Sequence, residues 1–308
     1  MIEEIRDEID MLYGPPMTVV SDCIRSFLMA APKHDFIAAD FASIEARVLA
    51  WLAGEESVLK IFRTHGKIYE HAASNIYRTP IERITKQQRQ IGKVAILALG
   101  YGGGKLAFSK MGKNYGVEVS ESVAETIKNA WRGANRNIVS YWYGLEDAAK
   151  MAVQSPKSIH KVGASGREVR FKKNGSFLWC MLPTGRALCF PYAKLQGKLD
   201  KFGVYRENLV YNWVSPTTLK FEEIETYGGK LAENVTQAVA RDLLSEAMLR
   251  LEKNRYKVVM HVHDEIVCEV PEKFGSVEEM CNLMCDLPSW AKDLPVQAEG
   301  WRGKRFRK

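Results

Sequence analysis

Apolar positions along this chain switch repeatedly between two periods, and the switches predict its elements. Residues 258–262 and 266–270 are short runs rich in Val and Ile. They flank His263-Asp264-Glu265, so residues 258–270 predict a tight hairpin with a polar tip. Residues 36–39 predict a short buried strand ending at Asp40, and after Ser43 the spacing turns helical (Ile44, Val48, Leu49, Trp51, Leu52), with Gly54 as the stop. Upstream, residues 1–12 predict a short amphipathic helix broken by Gly14-Pro15-Pro16. A second helix is predicted over residues 18–31, closed by Pro32. Residues 85–101 form a third, with Thr85 as N-cap and Gly100 followed by Gly102-Gly103-Gly104 as terminator. Residues 118–153 are helical, and Trp131 and Trp142 read as core. Residues 157–226 are β-rich, with a hairpin turn at Asn174-Gly175. A long helix over residues 230–252, a Cys/Met-rich helix at 275–286 and a final strand complete an α+β pattern.

With 308 residues, 46% hydrophobic and 26% charged, the chain is long enough for a sizeable core. Its formal net charge of +7 favours a polyanionic partner without naming one. The six cysteines (23, 180, 189, 268, 281 and 285) contain no C-x-x-C pair. They read as reduced thiols rather than a zinc site. No apolar run reaches transmembrane length, and the acidic Met1-Ile2-Glu3-Glu4 is unlike a signal peptide, so a cytoplasmic protein without a membrane partner is expected.

Asp264 and Glu265, adjacent at the hairpin tip beside His263, suit a hard divalent cation. They equally suit a solvated acidic turn. Asp40, at the carboxyl end of a strand before a helix, is alone an ordinary turn or capping residue. On the basic helix, Arg89, Lys93, Leu97 and Tyr101 recur at four-residue steps and share one face. Two cations one turn apart can hold phosphate oxygens, Arg as a planar fork and Lys as a compact charge. Without further context, a solvated basic face explains them as well. The cations of residues 157–226 (Lys157, Lys161, Arg167, Arg170, Lys172, Lys173) suit either phosphate contact or protection of a sheet edge.

Three stretches in order resemble the signatures of family A DNA polymerases, nearest the phage-type members. Asp40-Phe41-Ala42-Ser43-Ile44-Glu45-Ala46-Arg47 resembles the first, keeping Asp, Ile, Glu and Arg in register. The R-x3-K-x3-x-x3-Y-G spacing of residues 89–102 resembles the second, with Leu97 where relatives mostly have Phe or Tyr. Val262-His263-Asp264-Glu265 resembles the third. The resemblance implies two-metal nucleotidyl transfer, with cations about 3.5–4 Å apart. Asp40, Asp264 and the Phe41 carbonyl would hold two Mg²⁺ ions, with Mn²⁺ as a substitute, and Glu265 would bind through water or support the site. Arg89 and Lys93 would clamp the triphosphate, and Lys93 would assist catalysis. Leu97 and Tyr101 would lie against sugar and base, and Glu45 would crowd the 2′ position and select deoxyribonucleotides. Tyr69 is a weaker pocket candidate. Gln237, His263, Asn234, Arg241 and Arg186 would face primer–template DNA.

The resemblance also implies an architecture. A right-hand palm, an antiparallel sheet backed by helices, is expected from residues 1–52 and 225–308. A largely helical fingers insertion with a basic β-rich part is expected from residues 53–224. The thumb and exonuclease domains of the family are expected to be absent. The function expected is template-directed DNA synthesis from dNTPs, as the catalytic part of a split or truncated polymerase. A separate polypeptide would then supply the thumb or exonuclease, in a bacterial host cytoplasm if the chain is phage-encoded. Two other readings stay open: a non-catalytic nucleic-acid-binding remnant or assembly subunit, and RNA synthesis by a related right-hand fold, against which Glu45 speaks.

Overall fold

The computed structural model describes residues 2–199 and 203–307. In chain order the elements are α1 (Ile2–Tyr13), α2 (Pro16–Phe27), β1 (His34–Phe41), α3 (Ile44–Ala53), α4 (Glu56–Thr64), α5 (Ile68–Tyr77), α6 (Lys86–Leu99), α7 (Lys105–Asn114), α8 (Glu121–Ala134) and α9 (Arg136–Gln154). There follow β2 (His160–Val162), β3 (Val169–Asn174), β4 (Phe177–Met181), β5 (Ala187–Pro191), β6 (Lys194–Leu199), β7 (Tyr205–Val214) and β8 (Phe221–Thr226). The chain closes with α10 (Gly228–Lys253), β9 (Lys257–Val262), β10 (Glu265–Pro271), α11 (Val277–Cys285) and β11 (Ala298–Gly303). Helices with antiparallel sheets make this the expected α+β class. Met1 and Lys308, ends of the acidic start and the basic tail, lie outside the described residues.

Two compact units divide the chain. The smaller holds Met1–Ala42, Leu243–Asp286 and Val296–Lys308; the larger holds Ser43–Asp242 and Leu287–Pro295. Residues 43–52, 225–242 and 287–295, grouped with the chain ends by the resemblance, thus fall in the larger unit.

The smaller unit is built on an antiparallel sheet of order β11-β1-β10-β9. Successive side chains of a strand alternate faces, so β1 buries residues on both sides of the sheet. Phe36 and Ala38 join Val267, Ala30 and Phe306 on one face, with Met260 and Trp301 packed against them. Ile37, Ala39 and Phe41 are buried on the other. There a Cβ on Gly300 would come 2.5 Å from the Ala38 carbonyl and 3.1 Å from Val277 of α11. Only glycine lets strand and helix approach that closely.

The spacing of residues 18–31 predicts a helix to Ala31, but α2 ends at Phe27. Past it the chain pairs with the far terminus: Ala30 N–H donates to the Lys304 carbonyl and Phe306 N–H to the Leu28 carbonyl, both at 3.0 Å. Non-local ladder bonds outcompete local apolar periodicity here. Met11, Tyr13, Met17, Ile24 and Phe27 of α1 and α2 remain exposed.

The larger unit contains α3 to α9, the sheet β2-β3-β4-β5 and the sheet β6-β7-β8. Trp131 and Trp142 are buried, as expected of core, and stack with centroids 5.9 Å apart. α9 lies against β2 and β3. Gly92 costs α6 some intrinsic helix propensity. Its role is tertiary, because a Cβ there would sit 2.1 Å from the Tyr69 carbonyl of α5. The close crossing of these two helices fixes the basic face described next.

Candidate active site

Within the smaller unit, Asp40 stands at the exit end of β1, in register with Glu265 of β10 on one side and Glu299 of β11 on the other. Residues directly opposite in an antiparallel pair share a face, so three carboxylates cross three strands in a row. Nothing local in the sequence marks Glu299; only the strand order reveals it. The β9–β10 turn is the pair His263-Asp264, with His263 at φ 55°. His263 Nδ1 lies 3.1 Å from Asp264 Oδ1. Phe41 N–H donates to the Asp264 carbonyl at 3.2 Å, which ties the turn to the end of β1. Burial, then Cys285, then the charges of Asp40 and Glu299 push the Cys281 thiol above its usual range, so the negative field reaches α11.

No group of three or more His, Cys, Asp or Glu among the described residues is arranged to hold a metal. The donors at the β1–β10 end nonetheless fit a hard cation. They are carboxylates and backbone carbonyls on strand ends, and Mg²⁺ is commonly held by one or two carboxylates with waters and substrate phosphates completing the shell. Glu265 is buried at 6% exposure, which favours support of its neighbours over direct contact with a ligand.

Within the larger unit, Thr85 caps α6 through a capping box: its hydroxyl accepts from Gln88 N–H while Gln88 Oε1 accepts from Thr85 N–H. Val94, Ala95, Ala98 and Leu99 are buried, whereas Arg89 and Leu97 are exposed and Lys93 and Tyr101 half-buried. The four-residue series therefore runs along the open side of the helix. Arg89 Nε donates to Glu70 Oε1 at 2.7 Å, and its guanidinium lies 5.2 Å from the Tyr69 ring centroid. Lys93 Nζ lies 4.8 Å from the Tyr115 ring centroid. Both cations are thus held by neighbours from which an anion could draw them.

At the far end of this face, Tyr101 hydroxyl donates to Glu45 Oε2 at 2.7 Å, while Gln237 Nε2 donates to Glu45 Oε1 at 3.4 Å. Burial, then the charge of Glu45, raise the Tyr101 hydroxyl far above its ordinary value. Tyr101 therefore stays protonated and keeps the Glu45 carboxylate in place. A small, largely apolar cavity of about 80 Å³ adjoins the pair, lined by Glu45, Leu49, Leu97, Tyr101 and Trp131. Arg47, from the same signature stretch, is buried instead. It donates to the Pro295 carbonyl at 2.9 Å with its guanidinium 4.2 Å from the Phe62 ring centroid.

Gln237 and Arg241 are exposed one turn apart on α10, and Asn234 lines a cavity with Gln237 and Trp213. Arg186 sits against the same helix: Nε donates to Asp242 Oδ1 at 2.6 Å and Nη2 to the Ala238 carbonyl at 2.8 Å. Arg132 donates to the Gly102 and Gly103 carbonyls, both at 3.2 Å, fixing the loop after α6. Neither pairing has a local sequence signal.

Comparison with known proteins bears on the family and the fold. The family model for DNA polymerase family A matches residues 15–159. A DNA polymerase of Bacillus phage SP02 is 42% identical over 306 residues, covering 98% of this chain and 46% of that protein. DNA polymerase I of Pseudomonas aeruginosa is 29% identical over 300 residues, covering 95% of this chain and 27% of that protein. The POL domain of Pol1 from M. smegmatis, solved in complex with DNA primer-template and dNTP, shares the fold with a TM-score of 0.61 at 17% identity. That match covers 94% of this chain and 43% of the other. The chain therefore spans less than half the length of these relatives. Its sequence resembles DNA polymerase family A along nearly its whole length and corresponds to part of these relatives.

Proposed function

We propose that this chain catalyses template-directed DNA synthesis, transferring dNMP to a primer 3′-hydroxyl. The observation that carries this reading is the convergence of Asp40 and the Asp264-Glu265 pair on one sheet end, through the β1–β10 register. Asp40, Asp264 and the Phe41 carbonyl would hold Mg²⁺. When bound, the ions would lower the pKa of the primer hydroxyl and neutralise charge on the leaving pyrophosphate. Arg89 and Lys93 exchange their contacts with Glu70 and Tyr115 for phosphate oxygens. Glu45, held by Tyr101 and Gln237, stands as a fixed carboxylate where a 2′-hydroxyl would crowd it. Gln237, Arg241, Asn234 and His263 are assigned to the primer–template, whose minor-groove acceptors are nearly sequence-independent. Arg186 acts by positioning α10.

The remaining length of the polymerase is assigned to a separate polypeptide or to the rest of a longer chain. The part-length match to the phage relative and the exposed apolar side chains of α1 and α2 support this. Highly processive extension by the chain alone at physiological salt would overturn it. The synthesis would take place in a cytoplasm, where dNTPs and template are found.

The deciding experiment is primer extension with Mg²⁺ and all four dNTPs, comparing the chain with Asp264→Ala. Templated extension that the variant lacks is the expected result. If nothing is incorporated even with the complementary polymerase part added, the reading fails and a nucleic-acid-binding role remains.

A further inference from the structure

The sheet β2-β3-β4-β5 has one face packed and one face open. Val169, Phe171, Leu178 and Cys180 are fully buried. The alternate positions face outward, and the register sorts them by chemistry. Lys161 stands opposite Arg170; Arg170 and Lys172 stand opposite Met181 and Trp179. A cationic row thus runs beside an apolar, aromatic one on the same surface. Phe177 continues the second row, and its ring centroid lies 6.0 Å from that of Trp179 and 6.2 Å from that of Tyr192. Phe177 is 40% exposed and Tyr192 55%.

Edge protection does not account for this face. Lysines that guard a sheet belong on its edge strands. Arg170 and Lys172 lie on β3, and Phe177 and Trp179 on β4, both interior strands, while Lys161 is on the edge strand β2 and Tyr192 just past the edge strand β5. Charge on this face is one-sided as well: Arg170 and Lys172 project from β3, and residues 169–192 contain no Asp or Glu. A groove of about 370 Å³ on this side is lined by Arg170, Lys172, Met181 and Pro183, with Glu168 as its single carboxylate. Glu168 is occupied in accepting the Gly166 N–H at 3.1 Å.

We propose that this open face binds an unpaired nucleic-acid strand, its phosphates along Lys161, Arg170 and Lys172 and its bases against Trp179, Phe177 and Tyr192. Cations tracking a backbone beside exposed rings that stack bases is the combination that holds single strands without reading sequence. A duplex hides its base faces and could use only the cations. The binding claim stands apart from catalysis. Naming the strand as unpaired template rests on the polymerase reading above.

The test omits dNTPs and metal, so that its failure and the failure of the polymerase reading remain separate. A fluorescent single strand of about 12 nucleotides carrying 5-iododeoxyuridine is bound to the chain and irradiated, then adducts are located by mass spectrometry. Adducts at Phe177, Trp179 or Tyr192 are expected. By anisotropy, Arg170→Ala with Lys172→Ala should reduce the slope of log affinity against log salt by about 1.4. Trp179→Ala should weaken the single strand roughly 5- to 100-fold and leave a blunt duplex little changed. The inference fails if no adduct falls within residues 169–192, or if Trp179→Ala weakens single strand and duplex alike. The wild-type crosslink needs no substitution, so a misfolded variant cannot mask the answer.

Discussion

Strand β1 carries an aspartate near each end, and the two sit in opposite electrostatic surroundings. Asp35 accepts from Arg302 Nε at 2.8 Å and lies 3.0 Å from Lys304 Nζ. The same guanidinium also donates to the Phe274 and Gly275 carbonyls, so the acid locks β11 and the loop after β10 in place. Five residues on and on the other face, Asp40 is flanked across the ladder by Glu265 and Glu299. Like charges directly opposite on neighbouring strands destabilise a sheet. The first aspartate completes a charge balance within the fold. The second stands in a row of carboxylates, where the proposed function puts a cation. One strand thus carries a carboxylate tied into the ion pairs of the fold and one that the proposed function assigns to chemistry.

Exchanging each acid for its amide sharpens that contrast. Asp40→Asn should lower primer extension about a thousandfold or more, because losing several kcal/mol of charge stabilisation at a metal site corresponds to that loss in rate. Its melting temperature should hold or rise slightly, since a like-charge neighbour is removed. Asp35→Asn should do the reverse, melting several degrees lower while the folded enzyme still extends primers. If Asp40→Asn unfolds the chain and Asp35→Asn leaves stability untouched, the assignment of roles is backwards.

Metal provides the next test. Mg²⁺ titrated into the wild-type chain without DNA should raise its melting temperature, since a ligand that binds only the folded state stabilises it by mass action. The Asp40→Asn variant should lose most of that rise, and Asp35→Asn should keep it.

The pH profile follows from Asp35. Hydrogen bonds from Arg302, then Lys304, hold its carboxyl below the ordinary value of 3.8, against a smaller opposing effect of burial. A depressed folded-state pKa means that protons bind the unfolded chain more tightly. The contribution is therefore fully present above about pH 4 and lost as pH falls through the folded-state value. Urea unfolding at pH 7 and pH 3 should show the gap between wild type and Asp35→Asn closing at the lower pH.

The smallest effect is expected at Glu299. Glu299→Gln should alter stability by no more than about 0.5 kcal/mol, as for other exposed positions. A measurable change in the Mg²⁺ dependence of extension would show that the third carboxylate of the row acts at the site.

Several of these elements are legible in the residues alone. The β9–β10 hairpin announces itself through Val and Ile runs around a polar centre, and α6 through Thr85 before it and the glycines from Gly100 after it. Both signals are local in the chain. The alternation of β3 and β4 is equally local, but the identity of their neighbours is not. The end of α2 escapes the apolar spacing because Leu28 and Ala30 bond residues near the opposite terminus. The resemblance assigns Arg186 to DNA, while its partners Asp242 and Ala238 lie more than fifty residues away.

Where the candidate residues lie is written in the chain itself, and the chemistry assigned to them rests on the family resemblance. Residue types at fixed spacings place Asp40, Glu45, Arg89, Lys93, Tyr101 and Asp264 on particular strand ends and helix faces, because helix and strand periods are set by backbone geometry. Which charges meet is a matter of tertiary packing. The β11-β1-β10 order brings Glu299 beside Asp40, Gly92 lets α5 come close enough to hold Arg89 through Glu70, and sheet pairing lays the cations of β3 beside the rings of β4. Those meetings depend on strand order and register, which long-range packing sets and no local pattern encodes.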